Sequence, residues 1–112
     1  MSSLRVAVLC GGFSSEREVS LRTGDAVFEA LSSLGHKPVR IDVSHTLVRD
    51  LADAKADVCY NALHGTFGED GQLQSILDFL GMPYTGEDHR TSLLAFDKKL
   101  TKLVYEAANV QT

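Results

Sequence analysis

Two short stretches hold most of the residues able to do chemistry. The first, CGGFSSEREVS at residues 10–20, follows an apolar run, LRVAVLC, and precedes a pattern of helical period. Two glycines, two serines and a Glu-Arg-Glu cluster therefore stand where a strand turns into a helix. Such a junction aims unpaired backbone N–H groups and a partial positive charge at whatever occupies it, which suits an anion or a carboxylated ligand. The acidic Glu16 beside it suits a ligand that also carries positive charge. The second stretch, HGTFGEDG at residues 64–71, combines three glycines, which permit close approach, with the ionisable His64, Glu69 and Asp70.

Taken singly, neither stretch names a reaction. A dinucleotide fingerprint, GxGxxG, would need glycines where Phe13 and Glu16 stand, and a P-loop would need GK[ST] after four spacers. One His with Glu and Asp five and six residues on has no recognised metal-ligand spacing. Read as local structure alone, Ser14 or Ser15 caps a helix, Glu18 completes an S-x-x-E capping box with Ser15, and Glu16 complements the helix dipole. Asp70 would cap a helix starting near Gly71. Two such loops at one sheet edge, each with ionisable groups, point instead to a ligand site.

The elements that must position these loops follow from hydrophobic period. Residues 4–10 form a short, nearly continuous apolar run, the pattern of a strand covered on both faces. From Glu18 to Leu34, Val19, Ala26, Val27, Ala30, Leu31 and Leu34 recur three and four apart and predict one helical stripe, ended by Gly35. Residues 36–43 alternate Val39, Ile41 and Val43 with polar neighbours, a strand with one better covered face, and Pro38 places its start at an edge. A short helix over 46–55, a strand over 57–63, a helix with Leu73, Ile76, Leu77 and Leu80 on one face, and a strand over Met82–Thr85 follow. Thr91–Phe96 and Lys98–Ala108 read as two further helices. This order predicts an α/β, Rossmann-like three-layer domain on a parallel sheet of about four strands. In such sheets ligands bind beyond the carboxyl ends of the strands, where both glycine-rich loops fall.

The totals bound the function. At 112 residues, 44% hydrophobic and 23% charged, the chain is one globular domain. A chain this long hides roughly two thirds of its unfolded surface on folding, enough for stability without metal or disulfide. Cys10 and Cys59 lie far apart in apolar stretches and read as buried thiols in a reducing compartment. A net charge of −4, with eleven scattered Lys and Arg, argues against nucleic acid. No apolar run approaches the ~18 residues of a membrane span, and the amino terminus is too short in apolar residues for a secretion signal. The expectation is a cytoplasmic protein.

VAVLCGGFSSEREVSLRTG, NALHGTFGEDGQLQSILDFLGMPYTG and SLLAFDKKLTK, in this order and spacing, resemble the amino-terminal domain of D-alanine-D-alanine ligases of the ATP-grasp superfamily. The resemblance covers residues 5–108 and implies a preATP-grasp form of the Rossmann-like fold. It implies that Glu16, the catalytic residue of this segment, holds the ammonium group of the first D-alanine, that His64 lines the same subsite, and that Val19 and Ser20 border it. It further implies that Lys98 approaches the nucleotide phosphates. ATP and Mg²⁺ would be the cofactors, D-alanine the substrate, a homodimer the full-length state and peptidoglycan the destination of the product. The segment would be a one-third fragment, inactive alone, since the lid, the adenine pocket, the metal carboxylates and the second D-alanine site belong to later domains. Where the family usually continues AxGxPxP, this chain reads AANVQT.

Two rivals stand beside this reading. A receiver-like signalling module needs an acidic pair after strand one and a phospho-accepting Asp after strand three, where this chain has CGG and ALHG. A structural module that pairs subunits is compatible with the ligase reading.

Overall fold

The computed structural model describes residues 3–65, 67 and 71–85. Over these residues strands and helices alternate: β1 (Arg5–Cys10), α1 (Arg17–Ser33), β2 (Lys37–Asp42), α2 (Leu47–Ala54), β3 (Val58–Asn61), α3 (Gln72–Leu80) and β4 (Tyr84–Thr85). The expected helices over 91–96 and 98–108, with Lys98, lie outside the described residues, as do Glu69 and Asp70.

The strands form one parallel sheet in the order β2-β1-β3-β4. Three strands are full length and the fourth is a two-residue edge piece, shorter than the Met82–Thr85 run suggested. β1 leads to β2 on one side, and the chain then crosses back over β1 to β3. Right-handed crossovers require a helix to change face when the direction of travel reverses. The core obeys this. On one face Val6, Val8, Cys10, Val58 and Tyr60 pack with Val27 and Leu31 of α1. On the other, Ala7, Leu9, Ile41 and Cys59 pack with Leu47 and Leu51 of α2 and Leu73 and Leu77 of α3. The central β1 is buried on both faces, as its unbroken apolar run predicts. Full burial of each large apolar side chain contributes ~1.5–3 kcal/mol.

Local details depart from expectation where small polar residues do the packing. The buried seam of α1 is Ser20, Thr23, Gly24, Val27 and Leu31, rather than the full apolar stripe; Val19 is half-buried and Leu34 exposed. Gly24 lies so close to β1 that an added Cβ would stand 2.8 Å from Cys10 Cβ. The capping box does not form. Glu16 occupies the N-cap position with no side-chain cap, while the Ser14 hydroxyl accepts the Glu16 N–H at 3.0 Å. The helix ends past Leu34 as expected, with His36 N–H donating to Leu31 O at 3.0 Å and Gly35 N–H to Ser32 O at 3.0 Å. On β2, the outer strand, Ile41 is buried but Val39 is exposed, because an edge strand with one helix alongside covers only part of its face. Pro38 sits on this outer strand, where a missing N–H costs least.

Candidate functional site

β1 is the point where the sheet's winding changes direction, so the loops leaving β1 and β3 part to opposite faces and open a crevice at the carboxyl ends of the two strands. The loop after β1 carries Gly11 to Glu16, and the extension of β3 carries Leu63, His64 and Gly65. Both stretches singled out in the sequence therefore meet at one place.

Ser20 ties the two strand ends together. Its hydroxyl accepts the Gly11 N–H at 2.9 Å and donates to Ala62 O at 2.7 Å, and its side chain has no exposed surface. A buried hydroxyl with both capacities satisfied stabilises the place where it sits, whereas an unsatisfied one would destabilise it. Ser20 thus lies beneath the crevice floor. Val19, beside it, is half-buried.

Ser14 ties the loops above that floor. Its hydroxyl donates to His64 O at 2.7 Å while accepting from Glu16 N–H. This one side chain fixes both ionisable residues named from the sequence. Gly65, at φ +79°, completes the approach: an added Cβ would stand 2.8 Å from Ser14 Oγ and 2.9 Å from Glu16 Oε2. The Glu16 carboxylate is exposed at the crevice mouth and lies against the second loop. His64 is half-buried, with Nε2 3.2 Å from Thr23 Oγ1 of α1.

A second brace lies on the β2 side. Arg17 grips Asp42, at the end of β2, through two bonds of 2.7 and 2.5 Å, and its Nη1 also reaches Gly12 O at 3.4 Å. The Arg17 hydrogen bond holds the Asp42 carboxyl below its ordinary range despite some opposing desolvation. Phe13, half exposed, stands over the loop with its ring tilted toward His45 and edge-on to Phe67.

Chemically, the crevice is a candidate site that brings together a carboxylate, an imidazole and the first-turn amides of a helix. Both thiols lie in the core and are suppressed as nucleophiles: burial, aided by Asp42, pushes Cys10 up to about 11, and burial pushes Cys59 up to about 12. Among the described residues no group of three or more His, Cys, Asp or Glu could hold a metal ion. The structure brings Glu16, Ser20 and His64 together with Val19 alongside; Lys98 lies outside the described residues. Thr23, Ser14 as a bridge, and the Arg17–Asp42 brace escaped the sequence reading. Their partners are 41, 50 and 25 residues away, and only the hydroxyls one turn apart at Ser20 and Thr23 hinted at a polar seam.

The chain is similar to known proteins in sequence and in fold. The family model described as D-ala D-ala ligase N-terminus matches residues 44–87. A D-alanine-D-alanine ligase of Rhizorhabdus wittichii is 56% identical over 99 residues, which are 88% of this chain and 32% of that protein. The crystal structure of a D-alanine-D-alanine ligase from Bacillus anthracis overlays with a TM-score of 0.64 at 36% identity, covering 93% of this chain and 35% of that one. The Bacillus anthracis ligase complexed with ATP gives the same TM-score at 35% identity, over 74% of this chain and 28% of that one. The chain spans about a third of the length of the curated relatives it matches.

Proposed function

We propose that the chain, a member of the D-alanine-D-alanine ligase family by sequence and fold, forms over residues 1–112 the amino-terminal substrate-binding domain of such a ligase. The whole enzyme joins two D-alanines with hydrolysis of ATP, as a cytoplasmic homodimer supplying peptidoglycan synthesis. The observation that carries the reading is the meeting of the Glu16 carboxylate with the His64 loop, through Ser14 and Gly65, at the carboxyl ends of β1 and β3.

A free amino acid is a zwitterion, and this crevice has a complement for each end. The Glu16 carboxylate takes the ammonium group of the first D-alanine in a charge-assisted hydrogen bond. The first-turn amides of α1 supply positive potential for the carboxylated end. His64 lines the subsite, Val19 borders it, and Ser20 supports it from below. Lys98 meets the nucleotide phosphates as a point charge.

ATP and Mg²⁺ would be held mainly by the parts of the enzyme beyond this third. Bound there, Mg²⁺ would supply positive charge to neutralise the phosphates. This domain's own work is to bind and orient the first D-alanine.

Phosphate release tests the assignment. A ligase carrying this domain ahead of its ATP-binding portion releases phosphate from ATP when D-alanine is added; the 112-residue chain alone releases none. Turnover by the chain alone, or a complete ligase indifferent to D-alanine, would contradict it.

A further inference from the structure

Three loops leave the carboxyl edge of the sheet, and each places an aromatic ring there: Phe13 after β1, His45 after β2 and Phe67 after β3. The Phe13 and His45 rings lie 5.3 Å apart between centroids with planes tilted by 39°, and Phe13 meets Phe67 edge-on at 5.9 Å. Both distances fall in the ~4.5–7 Å range in which offset and edge-to-face rings attract beyond the apolar area they cover. Phe13 is 54% exposed, so burial in the core is not what holds it between the other two loops.

The backbone leading into Phe13 is poorly suited to hold it. Gly11 and Gly12, at φ +75° and +82°, join it to β1, and glycine is the residue with the most conformations to lose. The two outer rings are better seated. His45 stands two residues from each of the buried Val43 and Leu47. Phe67 packs on the α2 and α3 side of the core, and its carbonyl accepts the Leu73 N–H at 3.2 Å. Its φ of +72° is uncommon for a bulky side chain, and such a conformation persists where surrounding contacts over-determine it.

We propose that Phe13 is a positioning residue: seated between His45 and Phe67, it closes an aromatic clasp across the three loops and holds the segment that carries Glu16. Further along that segment, Ser14 is tied to the β3 side through His64 O, and Arg17 to the β2 side through Asp42. Phe13 stands between the glycine pivot and these polar ties, and it reaches both sides with one ring. The clasp follows from the geometry alone. Its use rests on the function proposed above: a Glu16 segment already ordered meets the ammonium group of the first D-alanine without losing that freedom on binding.

The test is nuclear magnetic resonance of the ¹³C,¹⁵N-labelled chain without D-alanine, with His45 identified among the four histidines by His45→Asn. The wild-type chain should show proton–proton Overhauser contacts from the Phe13 ring to the rings of both His45 and Phe67. Its heteronuclear Overhauser value at the Glu16 amide should lie close to those within α1. In Phe13→Leu, which keeps apolar bulk without the ring, the Glu16 value should fall while those within α1 hold; Phe13→Tyr, which keeps the ring, should retain it. Missing ring contacts in the wild-type chain, or an unchanged Glu16 value in Phe13→Leu, would overturn the proposal. Should Phe13→Leu not fold, the wild-type ring contacts still decide. Because no substrate is present, a complete ligase indifferent to D-alanine would count against the proposed function and leave this result standing.

Discussion

Gly65 is where a single methyl group separates structure from function. At φ +79° any L side chain is strained by about 1 kcal/mol or more, and the added carbon would press on Ser14 Oγ and Glu16 Oε2. Gly65→Ala should therefore destabilise the domain by ~1–3 kcal/mol, read by denaturant unfolding. If the proposed function holds, it should also raise the KM of a complete ligase for D-alanine more than that for ATP, because the displaced atoms line the crevice assigned there to the amino acid. Equal effects on both substrates would show that the loop acts only through stability. The bridging serine gives a milder version. Ser14→Ala removes one part-buried and one exposed partnership, a loss of ~1–2 kcal/mol.

Elements show how far the residues could be read in advance. The alternation of strands and helices, the double burial of β1 and the convergence of two loops at one edge were legible, because apolar period and glycine punctuation encode them directly. The seating of α1 was not. Ser20, Thr23 and Gly24 carry no apolar signal, yet they form the half of the helix that lies against the end of β1. Gly24→Ala makes the point measurable: alanine is the better helix former by ~1 kcal/mol, but its Cβ would overlap Cys10. Overpacking of ~1–3 kcal/mol should win, giving a less stable protein with an intact helix by circular dichroism. The Arg17–Asp42 brace, joining α1 to β2, also lacks a local signature. Its Asp42 carboxyl titrates below the ordinary value near ~3.9, so its contribution is present above that value and is lost as pH falls through the lowered one. Both side chains are about half exposed, so solvent screening keeps the contribution of the pair small. The stability gap between wild type and Asp42→Asn should accordingly shrink on acidification and in high salt.

Across the whole molecule, the sheet separates a thiol-bearing core from a polar edge. With Cys10 pushed up to about 11 and Cys59 to about 12, neither is a thiolate at neutral pH. A chromogenic disulfide reagent should find no reactive thiol in the folded chain and two after denaturation; prompt reaction of either would show that the core opens readily. No helix among the described residues is long and apolar enough to cross a membrane. On the proposed function the polar edge holds the first D-alanine, and Glu16 is the exposed carboxylate assigned to its ammonium group. Steady-state kinetics of Glu16→Gln in the complete ligase test this most directly. Losing one charge-assisted hydrogen bond, worth ~1.5–3 kcal/mol, should weaken use of the first D-alanine by ~10- to 100-fold while the KM for ATP stays near the parent value. A variant with unaltered D-alanine kinetics would contradict the account.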